Sequence, residues 1–425
     1  MERHHLDAGS AAIFAVAFVA AAFGTRSKPS VGIATMLFFD PFDFAHDISR
    51  TTVTLPKILL LGVLTGLLVR RSRWSALWAP ETRGLSIAAV ALLAANALTI
   101  VPSEYIDTVA RETLKALQYA LAFAACVVAI REDPDERPLR FALALSVSLV
   151  ALLALAQEFS GAPAAVSIAG RVMQRIAGPL EGPNQLAGYF GIVIPILLAY
   201  AVALKDRLAA AVAALAFFAL VLTLSRAGIA AGVVGIAVLM TVMRGVSARA
   251  AFGGGAAIVA LGAAGLAATG GFARFVSLGE VGAPTGLATR WQLWTAAIDL
   301  WKRSPWLGIG AGNYELELPS VGLPTVRTHA NSIYLQALAE GGIPLLAATL
   351  WAVYASIATF ARARSRDPLV LGVLAASCGL ALHQIFDCMT FFPKVGAFWW
   401  IVMGAAVARI IVSREQSAGM ERAQE

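Results

Sequence analysis

Residues 327–340 read RTHANSIYLQALAE and lie between the longest polar interruption of the chain and its last three apolar runs. If a helix begins near Ser332, then Ser332, Gln336 and Glu340 follow His329 at three, seven and eleven residues and share one stripe of the helix. A polar stripe is costly in a bilayer unless it faces protein or water. The stretch therefore predicts a helix that enters a membrane with its polar stripe against protein or water. The alternative is a histidine that caps a helix at the lipid interface.

The composition is that of a membrane protein. Of the 425 residues, 59% are hydrophobic and 14% are charged, and the mean hydropathy is +0.74. Soluble proteins carry about a quarter charged residues. We therefore expect an all-α, polytopic integral membrane protein, in which the net charge of +7 marks cytoplasmic loops and not nucleic-acid binding. Three dispersed cysteines predict no disulfide framework: Cys126, Cys378 and Cys388.

Apolar runs recur along the whole chain, from Ala11–Gly24 to Val395–Val412. A full span needs about 20 residues, and Val31–Phe39 is shorter than that. The runs, among them Ala250–Thr269, therefore predict about 12 transmembrane helices, or 13 if the short run crosses. They form a single membrane domain over residues 1–425, and the N-terminal run is interpreted as a first span and not as a removed signal peptide.

Basic residues alternate between successive loops and predict the orientation. Lys and Arg concentrate in every second loop, which the positive-inside rule places in the cytoplasm together with the C-terminus. The basic loops contain Arg70–Arg83, Arg131–Arg140, Lys205–Arg207, Arg244–Arg249 and Arg362–Arg366. The intervening loops then face outward, including one large loop at residues 270–331, ahead of the last three spans.

The large outward loop contains a predicted amphipathic helix. Residues 287–303 are followed by Ser304 and Pro305, which should end the helix. Aromatic and aliphatic residues recur at helical spacing, as in a helix that lies among lipid headgroups. They are Trp291, Trp294, Ile298 and Trp301.

Four outward segments each bring one prominent cation or proton carrier: Arg175, Arg226, Arg290 and His329. Arg226 lies between two apolar runs with no polar linker, and an arginine at such depth is a functional-site hypothesis. Arginine matches phosphate with a rigid fork of donors, and histidine can accept a proton near neutral pH. Such a set at the outer membrane surface suits a lipid-linked pyrophosphate donor and an acceptor hydroxyl.

Further candidates for substrate binding are polar residues near these four: Asn184, Asn331, Gln336, His383 and Asp387. The last two are one helical turn apart and are predicted to pair near the outer end of a span. The charges from Glu104 to Glu112 are interpreted as a solvated helix end. No outward segment, including the acidic Asp40–Asp47, has metal-ligand spacing, so neither a metal nor a cofactor is expected.

Five motifs resemble the O-antigen ligase and polymerase family of bacterial membrane glycosyltransferases. The resemblance covers a core region at residues 181–343. The motifs are EGPNQLAGYF (Glu181–Phe190), LSRAG (Leu224–Gly228), TRWQLW (Thr289–Trp294), PWLGIGAGNY (Pro305–Tyr314) and HANSIYLQALAEGGI (His329–Ile343).

The resemblance implies a 12-span fold with a large periplasmic loop, and metal-independent, inverting glycosyl transfer from an undecaprenyl pyrophosphate-linked glycan. It maps the family's essential arginines to Arg226 and Arg290 and its histidine to His329, whereas Arg175 comes from the residue pattern alone. One departure is that the family often has a second histidine beside the asparagine of the last motif. Here the sequence reads His329-Ala330-Asn331, which leaves one candidate base.

Three functions fit the sequence. The first is an O-antigen ligase in the bacterial inner membrane, with its active site facing the periplasm and lipid A-core as acceptor. The second is a polymerase that extends a growing lipid-linked glycan or exopolysaccharide. The third is a transporter of lipid-linked glycans. We favour an enzyme, because a transporter needs charge complementarity but not a proton acceptor such as His329.

Overall fold

A computed structural model describes residues 8–42, 45–48, 51–160, 164–168, 171–243 and 287–424. Helices dominate these residues, which confirms the predicted all-α, polytopic membrane class. Seven of the described helices are long and apolar enough to cross a membrane, and four further apolar helices are shorter. The count of about 12 spans stays a prediction, since the run Ala250–Thr269 and residues 270–286 of the large loop lie outside the described residues.

The helices are numbered here in chain order over the described residues. They are α1 (Ala8–Ser27), α2 (Pro29–Phe39), α3 (Leu55–Arg70), α4 (Arg83–Leu98), α5 (Ile106–Glu132), α6 (Arg137–Ser160), α7 (Pro183–Leu204), α8 (Arg207–Leu222), α9 (Arg226–Val242), α10 (Leu287–Arg303), α11 (Tyr314–Glu317), α12 (Ile333–Ala363), α13 (Pro368–Phe386) and α14 (Pro393–Gln424). Short 3₁₀ turns lie at Trp74–Trp78, Leu318–Val321 and Met389–Phe391.

Two antiparallel hairpins add strand structure that the sequence prediction missed. One pairs β1 (Ala45–Ile48) with β2 (Thr51–Thr54), and the other pairs β3 (Ala164–Ile168) with β4 (Arg171–Arg175). Each connects two helices, and their β-branched residues favour extended backbone. In the second hairpin, the register pairs Ala164 with Arg175, so this arginine ends a strand just before α7.

Small residues let the central helices approach closely. A Cβ on Gly404 of α14 would stand 2.7 Å from the carbonyl oxygen of Phe123, on α5. Phe123 also packs edge-on against Trp400, with ring centroids 5.6 Å apart. Without a hydrophobic driving force between helices in lipid, such close packing is the main source of helix association. α14 is therefore the buried centre of the bundle.

Helix α9 packs antiparallel on α13, again because glycines let the two backbones approach closely. A Cβ on Gly379 would lie 2.5 Å from the carbonyl oxygen of Ala231, and one on Gly235 would lie 3.3 Å from that of Ala375. This register brings Arg226, the first residue of α9, level with the last turn of α13. The small residues of one helix pair thus position a candidate arginine.

Helix α10 covers the segment predicted to be an amphipathic helix, and one of its faces packs against the protein. Its buried side chains are Leu293, Ala296, Ala297 and Leu300, which pack in a cluster with Tyr314 and Leu318. Trp291, at the start of the predicted aromatic stripe, is 69% exposed. The leucines and alanines of α10 thus form the face that meets the protein, and the predicted aromatic stripe begins on the exposed side.

Helix α12 begins beside Ser332, where the opening stretch placed its start, and is broken once. It starts at Ile333 with Ser332 as its N-cap, so His329 lies in the loop before it and does not head a helical stripe. Gly342 then adopts a left-handed conformation with φ of 61°, and a Cβ there would stand 2.5 Å from the carbonyl oxygen of Pro305. A side chain would be strained and obstructed at this point, so glycine permits the turn.

The contacts gather the described basic loops at one end of the bundle, here called the basic end, whereas the predicted basic loop Arg244–Arg249 lies outside the described residues. Five arginines there form ion pairs with carboxylates from other segments. The pairs are Arg70–Glu132 at 3.0 Å, Arg131–Glu415 at 2.7 Å, Arg140–Asp206 at 2.9 Å, Arg409–Asp367 at 2.8 Å, and Arg414–Glu81. The opposite end, here called the histidine end, holds Arg175, Arg226, Arg290 and His329.

Candidate active site

Three chain segments meet around one buried carboxylate at the histidine end. Asp387 follows α13, is 4% exposed, and accepts hydrogen bonds from the Nδ2 of Asn184 at 2.7 Å and from the backbone amide of Cys388 at 2.8 Å. Its backbone carbonyl accepts from the amide of Ile333 at 3.2 Å. Burial raises the pKa of Asp387 above its ordinary value, against the opposing effects of the Cys388 amide, Arg290 and Arg175.

Arg175 is bound into this framework. Its Nε donates to the carbonyl oxygen of Thr223 at 2.7 Å, and its Nη2 donates to the Oδ1 of Asn184 at 2.9 Å. Burial lowers the pKa of Arg175 to about 10, with Asp387 opposing that shift and Arg290 adding to it. Arg175 and Asn184 are therefore a connected pair that joins β4, α7 and the end of α8.

Arg226 and Arg290 are close to one another, and neither guanidinium is bound by another described residue. They are called here the uncommitted pair. The pKa of Arg290 is lowered first by burial and then by the positive charge of Arg226, while Asp387 opposes the shift. The Nε of Arg290 is buried without a hydrogen-bond partner among the described residues. Arg226 is exposed at the first turn of α9, which Ser225 caps by accepting from the amide of Gly228. Neither guanidinium forms an ion pair within the described part of the chain.

His329 lies in the loop ahead of α12 and packs against two phenylalanines. Its ring centroid is 4.3 Å from that of Phe391 and 5.2 Å from that of Phe392. Burial lowers the pKa of His329 to about 4, and the positive charge of Lys115 lowers it further. The imidazole is therefore neutral at physiological pH and able to accept a proton.

Two backbone contacts join the His329 loop to the arginine cluster. The carbonyl oxygen of Asn331 accepts from the Nε1 of Trp294 at 3.4 Å, one turn along α10 from Arg290. The amide of Ile333 donates to Asp387, as described above. The arginines and the histidine thus belong to connected segments of the histidine end, with Asp387 facing the arginines and Phe391 facing the histidine.

Asn331 and Gln336 are held by the protein itself. Asn331 has a left-handed backbone with φ of 50°, and its Nδ2 donates to the carbonyl oxygen of His329 at 3.4 Å. Gln336 is buried, accepts from the amide of Ala330 at 3.2 Å, and donates to Glu340 at 3.1 Å. Gln336 therefore holds the His329 loop in place through its hydrogen bond to the backbone of Ala330.

His383 and Asp387 do not form the predicted pair. His383 is 1% exposed, and both of its ring nitrogens lack a hydrogen-bond partner among the described residues. The pair fails because Asp387 leaves the helix in an extended conformation and turns to Asn184. His383 instead packs under α7 and α9, where a Cβ on Gly228 would stand 3.3 Å from its Cε1.

Sequence reasoning missed the surroundings of His329. Lys115 donates to the carbonyl oxygen of Phe391 at 2.7 Å and forms a 2.5 Å salt bridge with Glu112. Glu112 was interpreted as part of a solvated helix end, and that interpretation is wrong, because its side chain is 18% exposed and paired. The contact from Lys115 to Phe391 joins residues 276 positions apart, so no local pattern could reveal it.

A cavity of about 140 Å³ lies below the first segment of α12. Gln336 and Glu340 line it, as the polar stripe predicted, together with Glu112 and Lys115. Its deeper wall is apolar and includes Trp400 and other residues of α4, α13 and α14. The buried stripe thus faces protein and an internal cavity and not lipid.

Within the described ranges, no three His, Cys, Asp or Glu side chains cluster as a metal site would require. The charges of the histidine end instead define a cationic membrane site. Arg175 and Arg290 face one carboxylate, Asp387, the charge of Arg226 acts on Arg290, and a neutral imidazole lies on the adjoining loop. Such a site favours a ligand with more than one negative charge.

Comparison with known families agrees with this chemistry. Residues 210–350 match the family model described as O-Antigen ligase, which confirms the resemblance for the four motifs inside that range and supports an O-antigen ligase family assignment. The match supports a role in glycan transfer during O-antigen or polysaccharide biosynthesis. No curated protein matches the chain. The matched range contains Arg226, Arg290 and His329, whereas outside it lie Arg175, Asn184, His383 and Asp387.

Proposed function

We propose that the protein transfers a glycan from an undecaprenyl pyrophosphate-linked donor to an acceptor hydroxyl at the periplasmic face of the inner membrane. Ligation to lipid A-core is the favoured reaction, and it proceeds without a metal. The observation that carries the proposal is the uncommitted pair Arg226 and Arg290 on a site whose neighbouring loop presents the neutral imidazole of His329.

The two arginines serve the leaving group. Placing Arg226 beside Arg290 costs free energy, because like charges repel. A pyrophosphate offers negative oxygens to both guanidinium forks and relieves that repulsion. As the bond between the anomeric carbon and the phosphate oxygen breaks, the leaving pyrophosphate gains charge, which the arginines stabilise.

His329 serves the acceptor. The acceptor oxygen attacks the anomeric carbon from the face opposite the pyrophosphate, so the configuration inverts, and its proton passes to the imidazole. A base with a pKa of about 4 is weak, but it is unprotonated and ready at neutral pH. The negative charge of a bound donor raises that pKa towards the working pH, so donor binding activates the base.

Arg175, Asn184 and Asp387 hold the framework. Asn184 uses its oxygen for Arg175 and its nitrogen for Asp387, and this chain fixes the start of α7 against the end of α13. Asp387 also balances part of the positive charge while the donor is absent. These residues position the site, and Arg226 and Arg290 remain free for the substrate.

The test is transfer in vitro with purified protein, a defined undecaprenyl pyrophosphate-linked glycan, and two alternative acceptors, lipid A-core and a second lipid-linked repeat. We expect glycosylated lipid A-core and free undecaprenyl pyrophosphate, with a rate unchanged by EDTA. His329→Ala should lower turnover by about 10²–10⁴-fold and leave donor binding intact, since general-base catalysis contributes about that much.

Each contrary outcome overturns a different part of the proposal. Near-normal turnover by His329→Ala would remove the general base. Extension of the lipid-linked repeat alone would make the protein a polymerase. Loss of transfer in EDTA, restored by a divalent cation, would show that the arginines do not suffice for the leaving group.

A further inference from the structure

Lys115 lies beside the candidate base without touching it. Its Nζ donates to the carbonyl oxygen of Phe391 at 2.7 Å and stands 3.7 Å from the centroid of the Phe391 ring. The same ring packs against His329, with centroids 4.3 Å apart. One lysine on α5 therefore holds both the backbone and the ring of the residue against which the imidazole rests.

Lys115 is itself fixed in place. Glu112, one turn earlier on α5, forms a 2.5 Å salt bridge with it, and their side chains are 18% and 16% exposed. The turn that carries Phe391 is held from its other side, because Thr390 donates its hydroxyl to the Oε1 of Gln384 at 2.5 Å. A half-buried pair of this kind loses little mobility when the substrate binds, since its atoms are already ordered.

We propose that Lys115, anchored by Glu112, is a positioning residue that fixes the Phe391 ring and through it the imidazole of His329. The inference rests on the proposed function, because the orientation of His329 matters to turnover if His329 is the base. It assigns a role to a residue on α5 that lies outside the matched family range.

The charge of Lys115 adds a second effect. Charged groups on the segments packed around His329 are Lys115 and Glu112 on α5, Asp387 and Lys394 on either side of the Phe391 turn, and Arg327 on its own loop. After burial, the positive charge of Lys115 is the cause that lowers the pKa of His329. Removing that charge should raise the pKa, so a protonated and inactive imidazole would persist to higher pH.

The decisive variant is Lys115→Met, which keeps an unbranched side chain but loses the charge and the hydrogen bond. We expect kcat to fall by about tenfold, less than the roughly 10²–10⁴-fold that the base itself contributes, with an unchanged donor KM. The fall of kcat/KM at low pH, here called the acidic limb, should move to higher pH. Lys115→Arg keeps the charge and should leave that limb in place.

Arg111→Met is the matched control, because Arg111 is an exposed cation on the same helix that donates to Thr108 and does not contact Phe391. It should change neither kcat nor the acidic limb. If Lys115→Met lowers the rate equally at every pH and leaves the limb unmoved, Lys115 merely stabilises the fold. Unchanged kcat and an unmoved limb would overturn the inference altogether.

A measurement independent of turnover separates this inference from the proposed function. Histidine NMR of the purified protein, with His329→Ala to assign the signal among the five histidines of the chain, gives the pKa of His329 directly. In Lys115→Met, that pKa should rise. If His329→Ala retains normal turnover while Lys115→Met still moves the NMR titration, the base assignment fails and the contact stands. If His329→Ala abolishes turnover but Lys115→Met changes neither titration nor rate, the positioning role fails alone.

Discussion

The two ends of the bundle treat arginine in opposite ways. At the basic end, Arg70, Arg131, Arg140, Arg409 and Arg414 each pair with a carboxylate from another segment. At the histidine end, the positive charge of Arg226 acts on Arg290, and Arg290 shares one buried carboxylate, Asp387, with Arg175. The same residue type is thus neutralised at one end and left with excess charge at the other.

The difference separates stabilising from functional charge. A paired arginine adds little once its partner is placed, and it asks for no ligand. Two neighbouring guanidiniums that have no hydrogen bonds to other described residues store unfavourable energy that an anion can release, and such perturbed groups concentrate at functional sites. The protein therefore sacrifices some stability at the histidine end, as enzymes often do at their active sites.

The largest expected effect on turnover comes from substituting the two arginines of the uncommitted pair at the histidine end. Lysine retains charge but not the planar fork, so Arg226→Lys and Arg290→Lys should each lower turnover by about 10²–10³-fold, as removal of one charge-stabilising donor does. Arg409→Lys is the control at the basic end, where the fork serves Asp367. It should leave turnover unchanged and lower the melting temperature. If Arg226→Lys keeps near-normal turnover, the bidentate contact with pyrophosphate does not exist.

Arg175 provides an intermediate case, because it lies at the histidine end but is bound like an arginine of the basic end. Lysine can replace one of its contacts, with Thr223 or with Asn184, but not both. We expect Arg175→Lys to lower the free energy of unfolding by about 1–3 kcal/mol, the cost of one unmade buried hydrogen bond, and turnover by about tenfold. Thermal unfolding and initial rates measured on one preparation check both. A loss as large as that of Arg290→Lys, at unchanged stability, would show that Arg175 contacts the donor.

The sequence predicted the elements that carry periodic or compositional signals. Apolar runs gave the helices, and the missing linker around Arg226 marked an arginine at a helix start, where the structure places it. The break after Arg303 was also found, because Ser304-Pro305 is a strong local stop signal. These features depend on neighbours within a few residues, which is the range that a single sequence reports.

The features that were missed depend on contacts between distant residues. The partner of Asp387 is Asn184, 203 positions away, and not His383 within the same turn. The break at Gly342 has its cause in the backbone of Pro305 and Trp306, which pass too close for a side chain. Nothing in the sequence around Lys115 distinguishes this residue, and its proposed role follows from its hydrogen bond to the carbonyl oxygen of Phe391. Local periodicity cannot encode such pairs.

The smallest expected effect concerns His383, which lies beneath the arginines but is bonded to none of the described residues. A buried polar group without a partner costs free energy, so His383→Leu should leave the melting temperature unchanged or raise it. The imidazole packs under Gly228 in the first turn of α9, next to Arg226, and the different shape of leucine should shift that turn. We therefore expect turnover to fall by about fivefold, equivalent to about 1 kcal/mol.

Leu380→Ala, one turn earlier on the same helix, is the control, and it should lower the melting temperature with no loss of turnover at a permissive temperature. Equal turnover of His383→Leu and the unaltered protein would show that His383 fills space, and that the functional charge of the histidine end stops at Arg226, Arg290 and His329.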